Sequence, residues 1–274
     1  MPEILKILAL TVVLFAAQEL LRRSSKWILW GLFGLVPLAL TPFWLATNDF
    51  SLFLWVKCYT IVACICWGTA VRFTAIGGRQ LIRLSIPVLL AGNILEAVAP
   101  DLIEGGWAHG LVALTGLILV GMIPMGDRAR RIASLQSHRD FQLDLTRGWL
   151  IGYTVWNWAF VSLNYPELLG HHTAVLAAAL IVGLIDPHRW LQSRACTLGL
   201  NLIAVATINT RMIGWLDTTS WFDQRLGNAV AAFAAAFVVG YAAWAWLLIQ
   251  ANPRSTLARS TGGVPPADSH TFAA

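Results

Sequence analysis

Nine apolar segments recur along the chain with short polar links between them. They fall at about residues 3–21, 27–47, 50–71, 82–100, 107–125, 147–166, 172–186, 195–211 and 227–250. Hydrocarbon solvates such segments and water does not. Inside a bilayer a backbone must satisfy its own hydrogen bonds, so each segment is expected to be a helix. The chain therefore reads as an all-α, polytopic transmembrane helix bundle of about nine spans. The seventh and eighth segments are close to the lower limit of roughly 17 residues for a span, which leaves tilting, a break or a re-entrant turn open for one of them. Eight spans remain the alternative count.

Composition agrees. Only 12% of residues are charged and the mean hydropathy is +0.66, whereas soluble domains carry about 25% charged residues. Residues 1–252 are expected to form a single transmembrane domain, because the two polar stretches, residues 126–147 and the tail after Asn252, are too short to bury a core. Residues 253–274, rich in Pro, Gly, Ser and Thr, are expected to be a disordered tail. The first segment lacks the basic start and small-residue cleavage site of a signal peptide, and is read as a retained helix.

The net charge of +5 sits in short loops rather than in a long basic run. That distribution fits lipid headgroups and not nucleic acid. Alternate loops hold Arg22, Arg23 and Lys26, then Arg72, Arg79 and Arg83, then Arg128, Arg130, Arg131, Arg139 and Arg147, then Arg189 and Arg194, and the tail adds Arg254 and Arg259. These are 15 of the 19 lysines and arginines. The positive-inside rule then places the N-terminus outside and the C-terminus in the cytoplasm. The stretch "GDRARRIASLQSHRDFQLDLTRG" has apolar Ile132, Leu135, Phe141, Leu143 and Leu145 among its charges. It reads either as an amphipathic helix on the membrane surface or as a solvated connection.

Polar residues inside apolar segments are costly, and they mark the candidate site. On a helix Tyr153 and Asn157 share one face, with Trp149, Trp156 and Phe160 on an overlapping aromatic one. Asn157 lies roughly 15 Å from Arg147, near the bilayer midplane, and must find partners within the bundle. It is expected to point into the bundle, most specifically through an amide–amide contact with Asn93 at similar depth, and to serve either as glue between helices or as a polar cavity wall. Lys57 and Glu96 lie at matching depths on adjacent antiparallel segments and are expected to pair; Asn93 lies one turn from Glu96. The candidate binding cluster is Lys57, Asn93, Glu96, Tyr153, Trp156, Asn157 and Asn201, with Asn209 and Arg211 as further wall candidates.

Other signals point to structure. Cys64 and Cys66 would project about 200° apart on a helix and cannot share a metal; with Cys58 and Cys196 they read as buried thiols. His109, His171 and His172 lie toward the outer face without a completing carboxylate or thiol spacing, so no metal site is assigned. There is no phosphate-binding loop, metalloprotease or hydrolase motif, or dinucleotide fingerprint, and no cofactor is implied.

Two stretches, "WNWAFV" (Trp156–Val161) and "WLQSRACTL" (Trp190–Leu198), together with "NILEA" (Asn93–Ala97), resemble an uncharacterised bacterial family of polytopic inner-membrane proteins. The resemblance covers about residues 50–200. It implies a multi-pass protein of the bacterial inner membrane and no particular activity.

The leading functional reading is a tryptophan-rich transporter or channel for a small polar or ionic solute, or for protons. The alternatives are an intramembrane enzyme on a lipid or isoprenoid, with Glu96 or Asp101 as the acid, and an accessory subunit of a larger complex. Membrane lipids are the expected partners. A small solute or lipid ligand, and an oligomer or larger complex, are compatible with the same residues.

Overall fold

The computed structural model describes residues 2–132, 139–221 and 223–251, excepting the side chains of 128 and 209–211. Ten α-helices carry the fold: α1 (Pro2–Arg23), α2 (Lys26–Trp30), α3 (Val36–Thr47), α4 (Leu52–Phe73), α5 (Gln80–Glu104), α6 (Trp107–Gly121), α7 (Arg147–Asn164), α8 (Leu169–Ile185), α9 (Trp190–Trp215) and α10 (Gln224–Ala251). A π-helical turn, Gly31–Leu35, joins α2 to α3, so these two form one broken rod and the helices correspond in order to the nine apolar segments. Among the described residues seven of the rods are long and apolar enough to cross a membrane. The other two are α6, with 15 residues, and the more polar α7, with 18.

The local chemistry explains the helix starts. Ser25, Ser51 and Thr146 each accept a hydrogen bond from a backbone N–H of the following turn, satisfying a donor that a helix N-terminus otherwise leaves open. The link between α5 and α6 is Gly105–Gly106, with φ of 71° and 86°. Only glycine adopts that backbone cheaply, and two residues then suffice to reverse the chain.

Two apolar clusters form the core. One joins α5, α6, α7 and α10 around Ile94, Val112, Leu119, Trp149, Tyr153 and Trp156. The other joins α1, α2, α4, α8 and α9 around Leu29, Phe33, Ile61, Ala174 and Val175. The outer faces are apolar as well: Leu5, Val12, Leu20, Phe233, Trp246 and Leu247 are all exposed. Water would not tolerate so much contiguous apolar surface, whereas lipid would cover it.

The stretch after α6 differs from expectation. In place of either a surface helix or a plain solvated connection, Arg130–Ile132 (β1) and Phe141–Leu143 (β2) pair antiparallel, Arg130 opposite Leu143 and Ile132 opposite Phe141. Phe141 and Leu143 are buried, because alternation on a strand turns them toward the helix ends, and Leu145, just beyond the strand, is buried as well. Leu135 and the tail residues 253–274 lie outside the described residues.

This ribbon closes one end of the bundle. Asp140, 1% exposed, accepts hydrogen bonds from Arg22 Nε at 2.9 Å and Arg22 Nη2 at 2.6 Å, and from Gln192 Nε2 at 3.3 Å. Arg72 donates to the carbonyls of Arg22 and Arg139, and Arg189 pairs with Glu19. Arginines from four of the basic loops thus meet at one end, as alternate crossings require. Arg194, counted with them from the sequence, does not join them.

Candidate functional site

Where the two apolar clusters meet, α4, α5, α7, α8 and α9 enclose a cavity of about 430 Å³. Lys57, Asn93, Asn157, His172, Arg194 and Asn201 supply its polar wall. It reaches the surface beside the exposed Asp49, away from the ribbon. A smaller cavity, about 110 Å³, lies toward the ribbon and is lined by Cys64, Thr69, Arg72 and Gln192 among others. Asn93, Arg194 and Leu198 line both, so these three side chains stand between the two spaces.

The first polar group is the one expected from depth. Lys57 Nζ lies 3.0 Å from Glu96 Oε2 and donates to Asn93 Oδ1 at 2.9 Å and to the Asn93 carbonyl at 3.2 Å. Thr60 adds a hydroxyl 3.4 Å from Glu96 Oε2. Three acceptors around one ammonium, and a hydroxyl on its carboxylate partner, make this a satisfied pair.

The second group was not read from the sequence. Asn157, 6% exposed, turns into the bundle, while Trp158 points to the other side of α7 and donates to Thr173 Oγ1. Asn157 does not meet Asn93. Its Oδ1 is in hydrogen-bond contact with His172 Nε2 and lies 3.4 Å from Arg194 Nη2, which is also 3.3 Å from His172 Nε2. His172 protonated on Nε2, with Asn157 Oδ1 accepting from both neighbours, satisfies the first two contacts; the third is then an approach of two donors. Arg194 takes the place that Asn93 was expected to fill because a guanidinium outcompetes an amide for a carboxamide oxygen.

Arg194 is the unusual member. It is 4% exposed, yet its Nε and Nη1 have no hydrogen-bond partner, and among the described residues no carboxylate pairs with it. Its guanidinium lies 5.8 Å from the centre of the Tyr153 ring. Tyr153 is otherwise packed between Trp149 and Trp190. α9 begins at Trp190, five residues before the apolar segment seemed to start, and this places Arg194 within the helix and not in the loop. Arg194, Thr197 and Asn201, at i, i+3 and i+7, fall on one helix face, and that spacing was the available signal.

The remaining candidates sort as follows. Asn201, 6% exposed, lines the cavity with its Oδ1 unpartnered. Trp156 does not line it; its indole donates to the Val112 carbonyl across the α6–α7 seam, so it is a packing residue. The side chains of Asn209 and Arg211 lie outside the described residues. Asp101 is buried apart from the cavity, bonded through Oδ1 to His109 Nδ1 at 2.7 Å and Asn164 Nδ2 at 2.9 Å. It ties α5, α6 and α7 together at the end away from the ribbon. His171 reaches the Met212 carbonyl at 3.0 Å, so the three histidines occupy separate settings. Near the opening, the Tyr165 ring stacks on Phe53.

Long apolar helices with an apolar exterior, enclosing an interior polar cavity, are compatible with an integral membrane protein. The profile of a family of unknown function (DUF5692) matches residues 1–253, and the chain belongs to that family. No curated protein and no solved structure matches it.

Proposed function

We propose that the protein is a transporter of the bacterial inner membrane, moving a small polar or ionic solute through the cavity between its two apolar clusters. The observation that carries this reading is the pair of cavities sharing Asn93, Arg194 and Leu198. One space reaches the Asp49 end and the other approaches the ribbon, and a solute passing from one to the other would cross at these three side chains. The Arg22–Asp140–Arg72 contacts, with Arg189 on Glu19, close the ribbon end in this conformation. The arginine excess at that end supports placing it in the cytoplasm, with the N-terminus outside.

The test uses Leu202→Cys, on the cavity wall, in a chain whose four cysteines are replaced by alanine. A small membrane-impermeant methanethiosulfonate is applied to reconstituted vesicles from either face. Reaction from both faces is expected. Reaction from one face alone would favour an intramembrane enzyme or receptor over a transporter, and no reaction would favour a solid-cored accessory subunit.

A further inference from the structure

We propose that the large cavity binds a small organic monoanion, a carboxylate on an apolar body, with Arg194 as its counter-ion. The inference rests on the solute-carrying reading above and adds the charge and shape of the solute.

One charge on the inner wall of the cavity has no ion-pair partner among the described residues. Lys57 is neutralised by Glu96 at 3.0 Å. Arg194 has no such partner, and two of its three nitrogens carry unused donors in a buried position. A guanidinium in that state loses its hydration without compensation, and this is costly in a low-dielectric interior. Its fork matches two oxygens of one carboxylate. Asn201, whose buried Oδ1 also lacks a partner, lines the same cavity. A half turn about its last bond puts the amide donor where the oxygen otherwise lies.

The walls set the remainder of the ligand. Phe53, Phe160, Leu198, Leu202 and Val205 are apolar and leave room for a body larger than an inorganic ion. One uncompensated positive charge suits a monoanion; a phosphate dianion would require a second, and Lys57 is already committed. Asp49 and Glu167 also line the cavity, but at its opening. Asp49 is exposed to solvent, and Glu167 lies beyond the end of α7, whose stretch from Asn157 to Asn164 alone spans about 10 Å. Neither carboxylate forms an ion pair with Arg194, whose Nε and Nη1 are left without a partner.

The experiment compares the anionic sulfonatoethyl and cationic trimethylammonium-ethyl methanethiosulfonates on Leu202→Cys in the cysteine-free chain. It also measures the thermal shift given by benzoate, inorganic phosphate and choline on the purified full-length protein. The anionic reagent should react faster, and Arg194→Gln should reduce that preference by about tenfold or more. Benzoate should raise Tm saturably, protect Leu202→Cys from modification, and lose both effects in Arg194→Gln. Arg194→Lys should keep the anionic preference while binding benzoate more weakly, because it retains the charge and loses the fork. It also supplies the comparison if Arg194→Gln does not yield monodisperse protein. Equal reaction of the two reagents, stabilisation by choline that survives Arg194→Gln, or stabilisation by phosphate but not benzoate would overturn the anion inference and leave the transport reading standing. Failure of both reagents to react from either face would overturn the cavity reading, and the inference with it.

Discussion

Glu96→Gln should destabilise the protein far more than the double substitution Lys57→Met/Glu96→Gln. The two side chains are 12% and 18% exposed and 3.0 Å apart, so the pair behaves as a buried one. Removing one partner from such a pair costs about 3–5 kcal/mol, because the survivor is left buried and uncompensated. Here the survivor is Lys57, which retains the Asn93 side-chain oxygen at 2.9 Å and the Asn93 carbonyl at 3.2 Å. Those acceptors place the expected loss near the lower end, about 3 kcal/mol. Replacing both charges leaves neither carboxylate nor ammonium to solvate, and the double variant should lie within about 1 kcal/mol of wild type. Reversible unfolding by SDS titration in mixed micelles, followed by tryptophan fluorescence, measures all four corners of the cycle. Losses that add, with a coupling under about 0.5 kcal/mol, would refute the claim that these two charges hold each other.

Asn157→Ala should cost about 1–3 kcal/mol, since it removes an acceptor from a charged donor in the interior. Asn157→Leu should in addition abolish solute binding in protein that still folds; unchanged benzoate stabilisation in folded Asn157→Leu would remove Asn157 from the site. Asp140→Ala should cost about 3–5 kcal/mol by leaving Arg22 without its buried carboxylate, and should speed proteolysis at the ribbon end in limited-trypsin assays. Gly116→Ala would bring a new Cβ to 2.6 Å from Val98 Cγ2 and 3.0 Å from Trp156 Nε1, so a loss of about 1–3 kcal/mol is expected; an unchanged Tm would show that the α5–α6–α7 seam is loosely packed. For orientation, Gly105→Cys in intact cells should react with an impermeant maleimide and Asp127→Cys should not, and the reverse pattern would invert the assignment.

The secondary structure class and the number of rods follow from the order of residues alone. Nine apolar segments can only be helices if lipid surrounds them, and backbone satisfaction depends on no tertiary detail. The alternation of basic loops likewise anticipated which helix ends meet, because consecutive short links force consecutive helices to run in opposite directions. The Lys57–Glu96 pair was legible for the same reason: depth can be counted along a helix, and neighbours across a short link are adjacent. The tertiary structure decided everything that depends on rotation and on partners distant in sequence. Helical periodicity put Tyr153, Trp156 and Asn157 together, yet only packing turned Trp156 toward Val112 and Asn157 toward Arg194 and His172. Residues 130–132 and 141–143 formed a ribbon once Phe141 and Leu143 found the helix ends to cover. Arg194 shows the limit most clearly. Its neighbours in sequence are those of a loop-edge arginine, which would ordinarily turn outward to water. The long helix α9 instead places it one turn inside the bundle, where its guanidinium reaches Asn157 and faces the cavity.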